Sequence, residues 1–232
     1  MRPIERDVLL CLLAACAGSA DAWAFLGLGH AFVANMTGNT VLLGISVFTS
    51  HADALRPLIS LVCYAAGVIT GSLLTRNTPP ATDGSRWPRR VLLTLLIEAA
   101  LLICAQAAWL VEHLLGSSHP FHDLLLACVA FAIGLQSAAM LQLKIPGIVT
   151  TYITGTWTTL MNGLSRIGDE PPIERQKFET RLGMQAAVLA VYLASAVAAG
   201  WLFQYVPVAV GALPALSVLL VAIYGLCTGA RN

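Results

Sequence analysis

Six long apolar runs constrain this chain more than any other feature of its sequence. Each is about 20 residues long, the length that an α-helix needs to cross the hydrocarbon core of a bilayer. The runs are rich in Leu, Ala and Val and do not alternate apolar with polar residues, so they predict spanning helices rather than barrel strands. They cover roughly residues 8–28, 55–75, 91–114, 121–143, 180–204 and 207–229.

The composition agrees with a membrane location. Of the 232 residues, 57% are hydrophobic and only 11% are charged, whereas a soluble protein carries about 25% charged residues. A water-soluble fold and a disordered chain are both excluded. The net charge of +1 argues against a nucleic-acid partner, and the partner that the composition predicts is the lipid bilayer. All six cysteines lie within the apolar runs without metal-binding spacing, so no metal, cofactor or disulfide framework is expected.

Two further stretches, residues 31–48 and 147–164, are apolar enough to enter the membrane but carry Thr, Gly and Asn in their middle. The distribution of Lys and Arg indicates whether they cross, because basic residues concentrate on the cytoplasmic side. If neither stretch crosses and the N-terminus is cytoplasmic, every basic residue except Arg56 lies inside. If both cross, five basic residues fall outside: Arg76, Arg86, Arg89, Arg90 and Lys144.

The more asymmetric arrangement is the expected one. We therefore predict six transmembrane helices and two segments that dip into the membrane. Both termini are then cytoplasmic, as are two polar connectors, residues 76–90 and 166–181.

The N-terminus has an alternative interpretation. Arg2 and Arg6, followed by VLLCLLAAC, resemble a secretory signal, and Leu13–Cys16 resembles a lipoprotein cleavage site. Against cleavage, the basic region also contains two acidic residues, and the repeat described next requires the end of this apolar run. We therefore interpret it as the first span.

The two dipping segments belong to an internal repeat. The stretch from Gly18, GSADAWAFLGLGHAFVANMTGNTVLLGIS, aligns with the stretch from Gly134, GLQSAAMLQLKIPGIVTTYITGTWTTLMNGLS. Each reads as the end of a span, a short break and then a Thr-Gly pair, centred on Thr37 in the first copy and on Thr154 in the second.

The repeat continues into the following spans, where Tyr64 aligns with Tyr192 and small residues follow each tyrosine. Each half, about 8–114 and 121–229, then holds three spans and one dipping segment. Because three is an odd number, the second half is predicted to be inserted upside down relative to the first. Inverted repeats with broken helices recur in transporters, and we expect a single transmembrane domain, residues 1–232.

The Thr-Gly segments are the candidate solute path. A broken helix leaves backbone N–H and C=O groups that lipid cannot satisfy, so it survives only against protein or a polar cavity. Two breaks meeting at the midplane would form a site of backbone dipoles, hydroxyls and amides. The alternative is a kinked, packed helix whose Thr hydroxyls bond to backbone carbonyls. The candidate path residues are Asp21, Asn35, Thr37, Gly38, Asn39, Thr40, Gln136, Thr154, Gly155 and Thr156.

Two carboxyl side chains lie inside predicted spans, Asp21 in the first and Glu98 in the third. A charge at the bilayer centre costs roughly 2.5–3.5 kcal/mol on insertion scales, so each asks for a function or a partner. Both are candidates for carrying a coupling proton, and Asp21 is the stronger because it belongs to the repeat, where Gln136 or Ser137 occupies the matching position. The alternative for either residue is a structural hydrogen bond to a neighbouring span.

The residues GSADAWAFLGLGHAFVANMTGNTVLLG, together with YITGT in the second half, resemble the YoaK family of bacterial membrane proteins, known as domain of unknown function 1275. The similarity covers roughly residues 8–227 and is most specific from Phe32 to Gly44. The resemblance implies a bacterial cytoplasmic (inner) membrane protein with about six spans. It implies no substrate and no catalytic residue.

Three classes of function remain. A small-solute transporter or channel, with its path between the inverted halves, agrees best with the repeat. A membrane enzyme is less favoured, because no GxSxG, HExxH or paired-carboxylate pattern occurs. A scaffold or regulator without transport activity is the third class. The glycine-lined helix faces also allow a homo-oligomer.

Overall fold

The computed structural model describes residues 3–49, 51–78, 88–115, 121–143, 153–168 and 171–229. Within these ranges the regular structure is helical and no strand occurs. The α-helices are α1 (Pro3–Gly27), α2 (Met36–Thr49), α3 (His51–Leu74), α4 (Arg89–Leu115), α5 (His122–Leu143), α6 (Ile153–Ser165), α7 (Pro172–Tyr205) and α8 (Ala212–Gly229).

Six of these helices are long and apolar enough to cross a membrane, namely α1, α3, α4, α5, α7 and α8. This confirms the predicted all-α architecture and the number of candidate spans. The other two, α2 with 14 residues and α6 with 13, are about 20 Å long, which is short of the roughly 30 Å hydrocarbon core. Most of the predicted connector 76–90, and the start of the stretch 147–164, lie outside the described residues.

The helix ends follow from local sequence. α7 begins at Pro172. A proline is tolerated in the first turn of a helix because the N–H groups there have no partner within the helix. The helix then continues for 34 residues, so the predicted connector 166–181 is helical from Pro172 onward. After Tyr205 a short 3₁₀ turn, Pro207–Ala209, leads into α8.

The two central helices are α1 and α5, which are the most deeply buried of the six long helices. α1 packs against α7 and α8, while α5 packs against α3 and α4. α4 and α8 pack against each other, and the short helices lie outside, α2 on α3 and α6 on α7. These pairings are symmetric between the two halves. If α1, α2, α3 and α4 exchange places with α5, α6, α7 and α8, respectively, the same helix pairs result.

The contacts also establish the directions of the packed helices. α1 and α7 are parallel, because Gly18 lies against Tyr192 in the middle of the pair and Gly27, at the end of α1, lies against Phe203 near the end of α7. α3 and α5 are parallel as well. Near their starts the Arg56 Nε and an Asp123 carboxylate oxygen are 3.0 Å apart.

α4 and α8 run in opposite directions. Near the end of α4, the Trp109 Nε1 donates a hydrogen bond to the carbonyl of Pro207 at 2.8 Å, just before α8. At the other end of the pair, Leu92 near the start of α4 lies against Gly225 near the end of α8. α1 and α8 are antiparallel too, since Trp23 near the end of α1 lies against the residue that precedes α8.

Two of the close helix contacts form at Gly18 and Gly134. A Cβ atom on Gly18 would overlap the backbone carbonyl of Tyr192, and a Cβ atom on Gly134 would overlap the backbone carbonyl of Tyr64. Backbone atoms cannot rotate away as a flexible side chain can, so both positions need the absence of a side chain. Small residues of this kind let membrane helices approach closely.

We expect Gly134→Ala to destabilise the fold, because the new methyl group collides with the α3 backbone. Overpacking of this kind costs about 1–3 kcal/mol, or about 2–4 °C of melting temperature per kcal/mol in a chain of this length. The matched control is Gly200→Ala on α7, where a Cβ meets no atom within 4 Å. Thermal unfolding in detergent measures both, and equal melting temperatures would contradict this account of the α3–α5 contact.

Candidate functional site

The backbone breaks immediately after α1. Gly29, with φ of 103°, and His30, with φ of 62°, turn the chain back, and no regular helix forms again until Met36. A backbone conformation with positive φ is readily adopted by glycine. The segment 28–35, which we call the break, therefore carries backbone N–H groups that need partners within the protein.

Asp21 supplies many of those partners. Its side chain is only 4% exposed, and its Oδ1 accepts hydrogen bonds from the backbone N–H groups of Val33 at 2.8 Å, Ala34 at 2.7 Å and Asn35 at 3.4 Å. Its Oδ2 accepts a hydrogen bond from the Tyr192 hydroxyl at 2.5 Å. The carboxyl group thus joins α1, the break and α7.

Asn39 holds the other part of the break. Its Oδ1 accepts a hydrogen bond from the backbone N–H of Phe32 at 2.8 Å, and its Nδ2 donates to the carbonyl of the same residue at 2.7 Å. The Nδ2 also donates to the Ser60 hydroxyl on α3 at 3.0 Å, and Ser60 in turn donates to the Phe32 carbonyl. The Asn39 amide therefore pairs with both the backbone N–H and the backbone carbonyl of Phe32.

A pair of tyrosines occupies matching positions in the two halves. Tyr192 on α7 donates to Asp21 on α1, and Tyr64 on α3 donates to the Ser137 hydroxyl on α5 at 2.8 Å. The backbone carbonyls of the same two tyrosines face the glycines of the close helix contacts. The predicted alignment of Tyr64 with Tyr192 thus corresponds to two similar sets of contacts, with a carboxylate in one and a serine in the other.

A cavity of about 410 Å³ lies between these elements. Its size falls within the roughly 300–1,000 Å³ typical of ligand pockets. Its lining comes from both halves and contains no charged side chain. The lining residues are Ala34, Asn35, Met36, Thr37, Tyr64, Ser137, Leu141, Ile153, Thr154 and Tyr192.

The first turns of α2 and α6 both border this cavity, at Met36 and Thr37 and at Ile153 and Thr154. The Thr-Gly pairs therefore lie within the starts of two intact helices. The sequence predicted a short break before each Thr-Gly pair and a helix interrupted at the pair itself. In the first half the break precedes the pair, and the pair is helical. The matching residues of the second half, 144–152, lie outside the described part of the chain.

The ten predicted path residues separate into two groups. Asn35, Thr37 and Thr154 line the cavity and are exposed, so the cavity is open at the surface. Asp21 and Asn39 are buried behind it and hold the break. The other residues of this second group, which do not line the cavity, are Gly38, Thr40, Gln136, Gly155 and Thr156.

Some of this second group have structural contacts. Gln136 is buried and its Nε2 donates to the carbonyl of Leu13 at 3.0 Å, which joins α5 to α1. Thr40 is exposed and its hydroxyl donates to the carbonyl of Met36 at 2.9 Å. The hydrogen bond of Thr40 is the kind that the alternative interpretation of the Thr-Gly segments predicts, in which a Thr hydroxyl donates to a carbonyl of the preceding helical turn.

Glu98, the second candidate for a coupling proton, lies outside the cavity. Its side chain is fully buried in α4, and the Cys16 thiol of α1 lies 3.6 Å from Oε1 as a donor. Within the described residues no group of three or more His, Cys, Asp or Glu side chains is placed to hold a metal ion.

Sequence reasoning left three polar cavity residues out of the site, Tyr64, Ser137 and Tyr192. Tyr64 and Tyr192 were aligned by the repeat but assigned to helix packing, and Ser137 was only an alternative counterpart of Asp21. The available signal was their correspondence between halves, because tyrosines at equivalent positions of two repeats face the same interface between them.

Comparison with known proteins agrees with this architecture. A protein family described as "Protein of unknown function (DUF1275)" matches residues 9–225, nearly the whole chain. The chain belongs to the DUF1275 family. It is also similar to the UPF0700 transmembrane protein YoaK of Bacillus subtilis (strain 168), with 33% identity over 161 residues, which cover 69% of this chain and 68% of the relative. No solved structure matches it.

Membership of the DUF1275 family confirms the resemblance seen in the Thr-Gly segments. With the six long apolar helices, it identifies the chain as a multi-pass membrane protein. The family description assigns no activity, so the function must be argued from the cavity.

We expect Asn39→Ala to destabilise this DUF1275 protein, because the Phe32 N–H loses its acceptor inside the protein. An unsatisfied buried donor costs about 1–3 kcal/mol. Asn162→Ala on α6, where the side chain is exposed, is the control and should leave the melting temperature in detergent unchanged. The role of Asn39 would be contradicted if the two variants melted together.

Proposed function

We propose that this DUF1275 protein is a small-solute transporter or channel whose path passes through the cavity between two inverted halves. The observation that carries the proposal is the lining of the cavity. Both halves supply the start of a short helix and a hydrogen-bonded tyrosine to a common cavity, whose wall combines polar and apolar side chains. Binding sites at the interface of two repeats, built from helix ends near the midplane, are a recurrent transporter arrangement.

The helix directions support the view that α2 and α6 enter the membrane without crossing it. Consecutive spanning helices alternate in direction, so a crossing α6 would make α4 and α8 parallel, whereas they pack antiparallel. With α6 excluded as a span, a crossing α2 would make α1 and α8 parallel, and those helices are also antiparallel. Two re-entrant helices account for both contacts.

The same directions favour an inverted repeat. With α2 and α6 re-entrant, each half contains three spans, and three crossings reverse the orientation of whatever follows. The helix pairings agree with this, because the pair of α1 with α7 corresponds to the pair of α5 with α3 when the two halves are exchanged. The contacts of Gly18 with Tyr192 and of Gly134 with Tyr64 exchange in the same way.

The distribution of basic residues supports a defined orientation. On the six-span topology nearly every Lys and Arg lies on one side of the membrane. In most membrane proteins the side that is richer in Lys and Arg is the cytoplasmic one. We propose a bacterial cytoplasmic membrane location with both termini inside the cell.

Bulky substitutions at the cavity test the path. We expect Thr37→Phe and Thr154→Phe to reduce solute flux at least tenfold, because each places a ring at the start of a helix that borders the cavity. Flux is measured by light scattering of proteoliposomes challenged with glycerol, urea, sodium nitrate or ammonium chloride, against protein-free vesicles.

The matched controls lie two turns farther along the same two helices. Ile45→Phe and Met161→Phe alter exposed apolar residues that do not line the cavity, and they should transport like the parent protein. If none of the four solutes enters faster than into protein-free vesicles, or if flux survives both threonine substitutions, the path is wrongly assigned.

Reporter fusions test the orientation. A green fluorescent protein at the C-terminus should fluoresce, and an alkaline phosphatase at the same position should be inactive, because the phosphatase matures only after export. A phosphatase inserted between α4 and α5 should be active. The opposite pattern would contradict the proposed topology.

A further inference from the structure

The two oxygens of the Asp21 carboxyl group differ in what surrounds them. Oδ1 faces three backbone N–H groups, those of Val33, Ala34 and Asn35. A backbone N–H is a fixed donor and cannot accept a proton from its partner. A proton bound to Asp21 must therefore lie on Oδ2.

Oδ2 faces the Tyr192 hydroxyl at 2.5 Å. A hydroxyl group both donates and accepts, and it rotates to suit its partner. When Asp21 is ionised, Tyr192 donates to Oδ2. When Oδ2 carries a proton, Asp21 becomes the donor, and the Tyr192 hydroxyl hydrogen must turn to another acceptor.

Tyr192 also lines the cavity, so the direction of this hydrogen bond is exposed to a bound solute. With Asp21 ionised, the tyrosine can offer the cavity only oxygen lone pairs, and a negative charge lies one hydrogen bond behind the wall. With Asp21 protonated, that charge is absent and the tyrosine offers the cavity a donor. Protonation therefore changes both the charge and the hydrogen-bonding character of this wall.

The rest of the lining favours a negatively charged solute in the protonated state. The side chains of Asn35, Thr37 and Thr154 are neutral and each can donate a hydrogen bond to a solute, whereas the Ser137 hydroxyl donates to the carbonyl of Ile133 at 3.0 Å. The starts of α2 and α6, which carry partial positive charge, border the cavity from both halves. No carboxylate group lines the cavity. Both oxygens of the Asp21 carboxyl group are hydrogen-bonded behind the cavity wall.

The other titratable groups near Asp21 do not take over this role. Tyr192 faces it from α7, and Tyr64 lies across the cavity with its hydroxyl on Ser137. On the α4 side, Glu98 is engaged by Cys16 of α1. The α5 residue bonded to α1 is the neutral Gln136, and the core residues of α8 are apolar.

We propose that the cavity carries a small monoanion together with one proton, and that this proton binds Oδ2 of Asp21 and reverses its hydrogen bond with Tyr192. This rests on the proposed transport function. One proton from the aqueous phase converts the carboxylate to the acid as the anion enters, and both leave on the other side. The charge of the occupied site therefore equals that of the empty one.

The test uses proteoliposomes of the full chain with a pH-sensitive dye inside and the membrane potential clamped to zero. The probes are the sodium salts of nitrate, chlorate and methanesulfonate, because anions of strong acids do not cross bilayers as neutral acids. An inward gradient of at least one of them should acidify the lumen, with one proton entering per anion.

Asp21→Asn separates proton movement from anion movement. The new amide keeps an acceptor for the break and gains a donor toward Tyr192, so it imitates protonated Asp21. We expect anion flux to persist and to become independent of external pH, while lumenal acidification falls at least tenfold. Tyr192→Phe, which removes the reversible hydroxyl without altering the carboxyl group, should also lose the coupling and provides a second route if the first variant fails to fold.

Tyr64→Phe is the matched comparison, because it removes the same hydroxyl from the opposite wall, where the partner is Ser137. It should lower the anion flux but keep one proton per anion. The proton-to-anion ratio is therefore the deciding readout, and a purely structural role for these tyrosines would not distinguish the two variants.

Three results of the anion experiment would overturn the inference. They are anion flux without acidification in the parent protein, continued acidification in Asp21→Asn, and equal ratios in the two tyrosine variants. Flux of glycerol or urea without any anion flux would overturn it as well and leave the proposed transport function intact. Absence of flux for every solute would overturn both.

Discussion

The centre of this protein depends on satisfying the backbone hydrogen-bonding groups of the break, residues 28–35, in a chain that crosses a membrane. Lipid offers no hydrogen-bond partner, so each exposed N–H or C=O group there costs several kcal/mol. Asp21 and Asn39 supply the hydrogen-bond partners that the break needs. Asp21 accepts from three backbone N–H groups, and Asn39 pairs with the backbone N–H and the carbonyl of Phe32. Because the break is held in this way, α2 can start within the protein and present its first turn to the cavity.

The second requirement is close helix approach. Without side chains at Gly18 and Gly134, the backbones of α1 and α5 come into contact with those of α7 and α3. These contacts bring each tyrosine hydroxyl to its partner across the helix pair. The glycines at these contacts thus serve the polar site as much as the packing, since a wider separation would leave Tyr192 out of reach of Asp21.

The spans were predictable because their signal is length. A run such as residues 91–114 has no soluble alternative, and α4 differs from it by only a few residues at either end. The sequence also shows a Thr-Gly pair followed by a tyrosine in each half, Thr37 with Tyr64 and Thr154 with Tyr192, at different spacings. These features are local in the sequence and need no knowledge of how the helices pack.

The lining of the cavity was less predictable, because it depends on how each helix is rotated about its axis. Thr37 and Asn39 are two residues apart in the first turns of α2, yet one lines the cavity and the other is buried against Phe32 and Ser60. Asp21 was predicted on the path, whereas its carboxyl group lies behind Tyr192. Sequence pattern shows which residues are unusual for a membrane, but the partner that explains each one comes from tertiary contacts.

The two halves hold the same cavity by different forces. In the first half, α2 is fixed by directional bonds, in which Asn39 reaches Ser60 on α3 and the break reaches Asp21. In the second half, a small apolar cluster joins α6 to α7 through Leu160 and Leu182, beside a hydrogen bond from Gln185 Nε2 to the Thr159 hydroxyl at 3.1 Å. Hydrogen bonds require a narrow range of distances and angles, whereas apolar contact is non-directional. Among the described residues, the first half therefore fixes its short helix mainly by directional bonds, and the second combines apolar contact with such a bond.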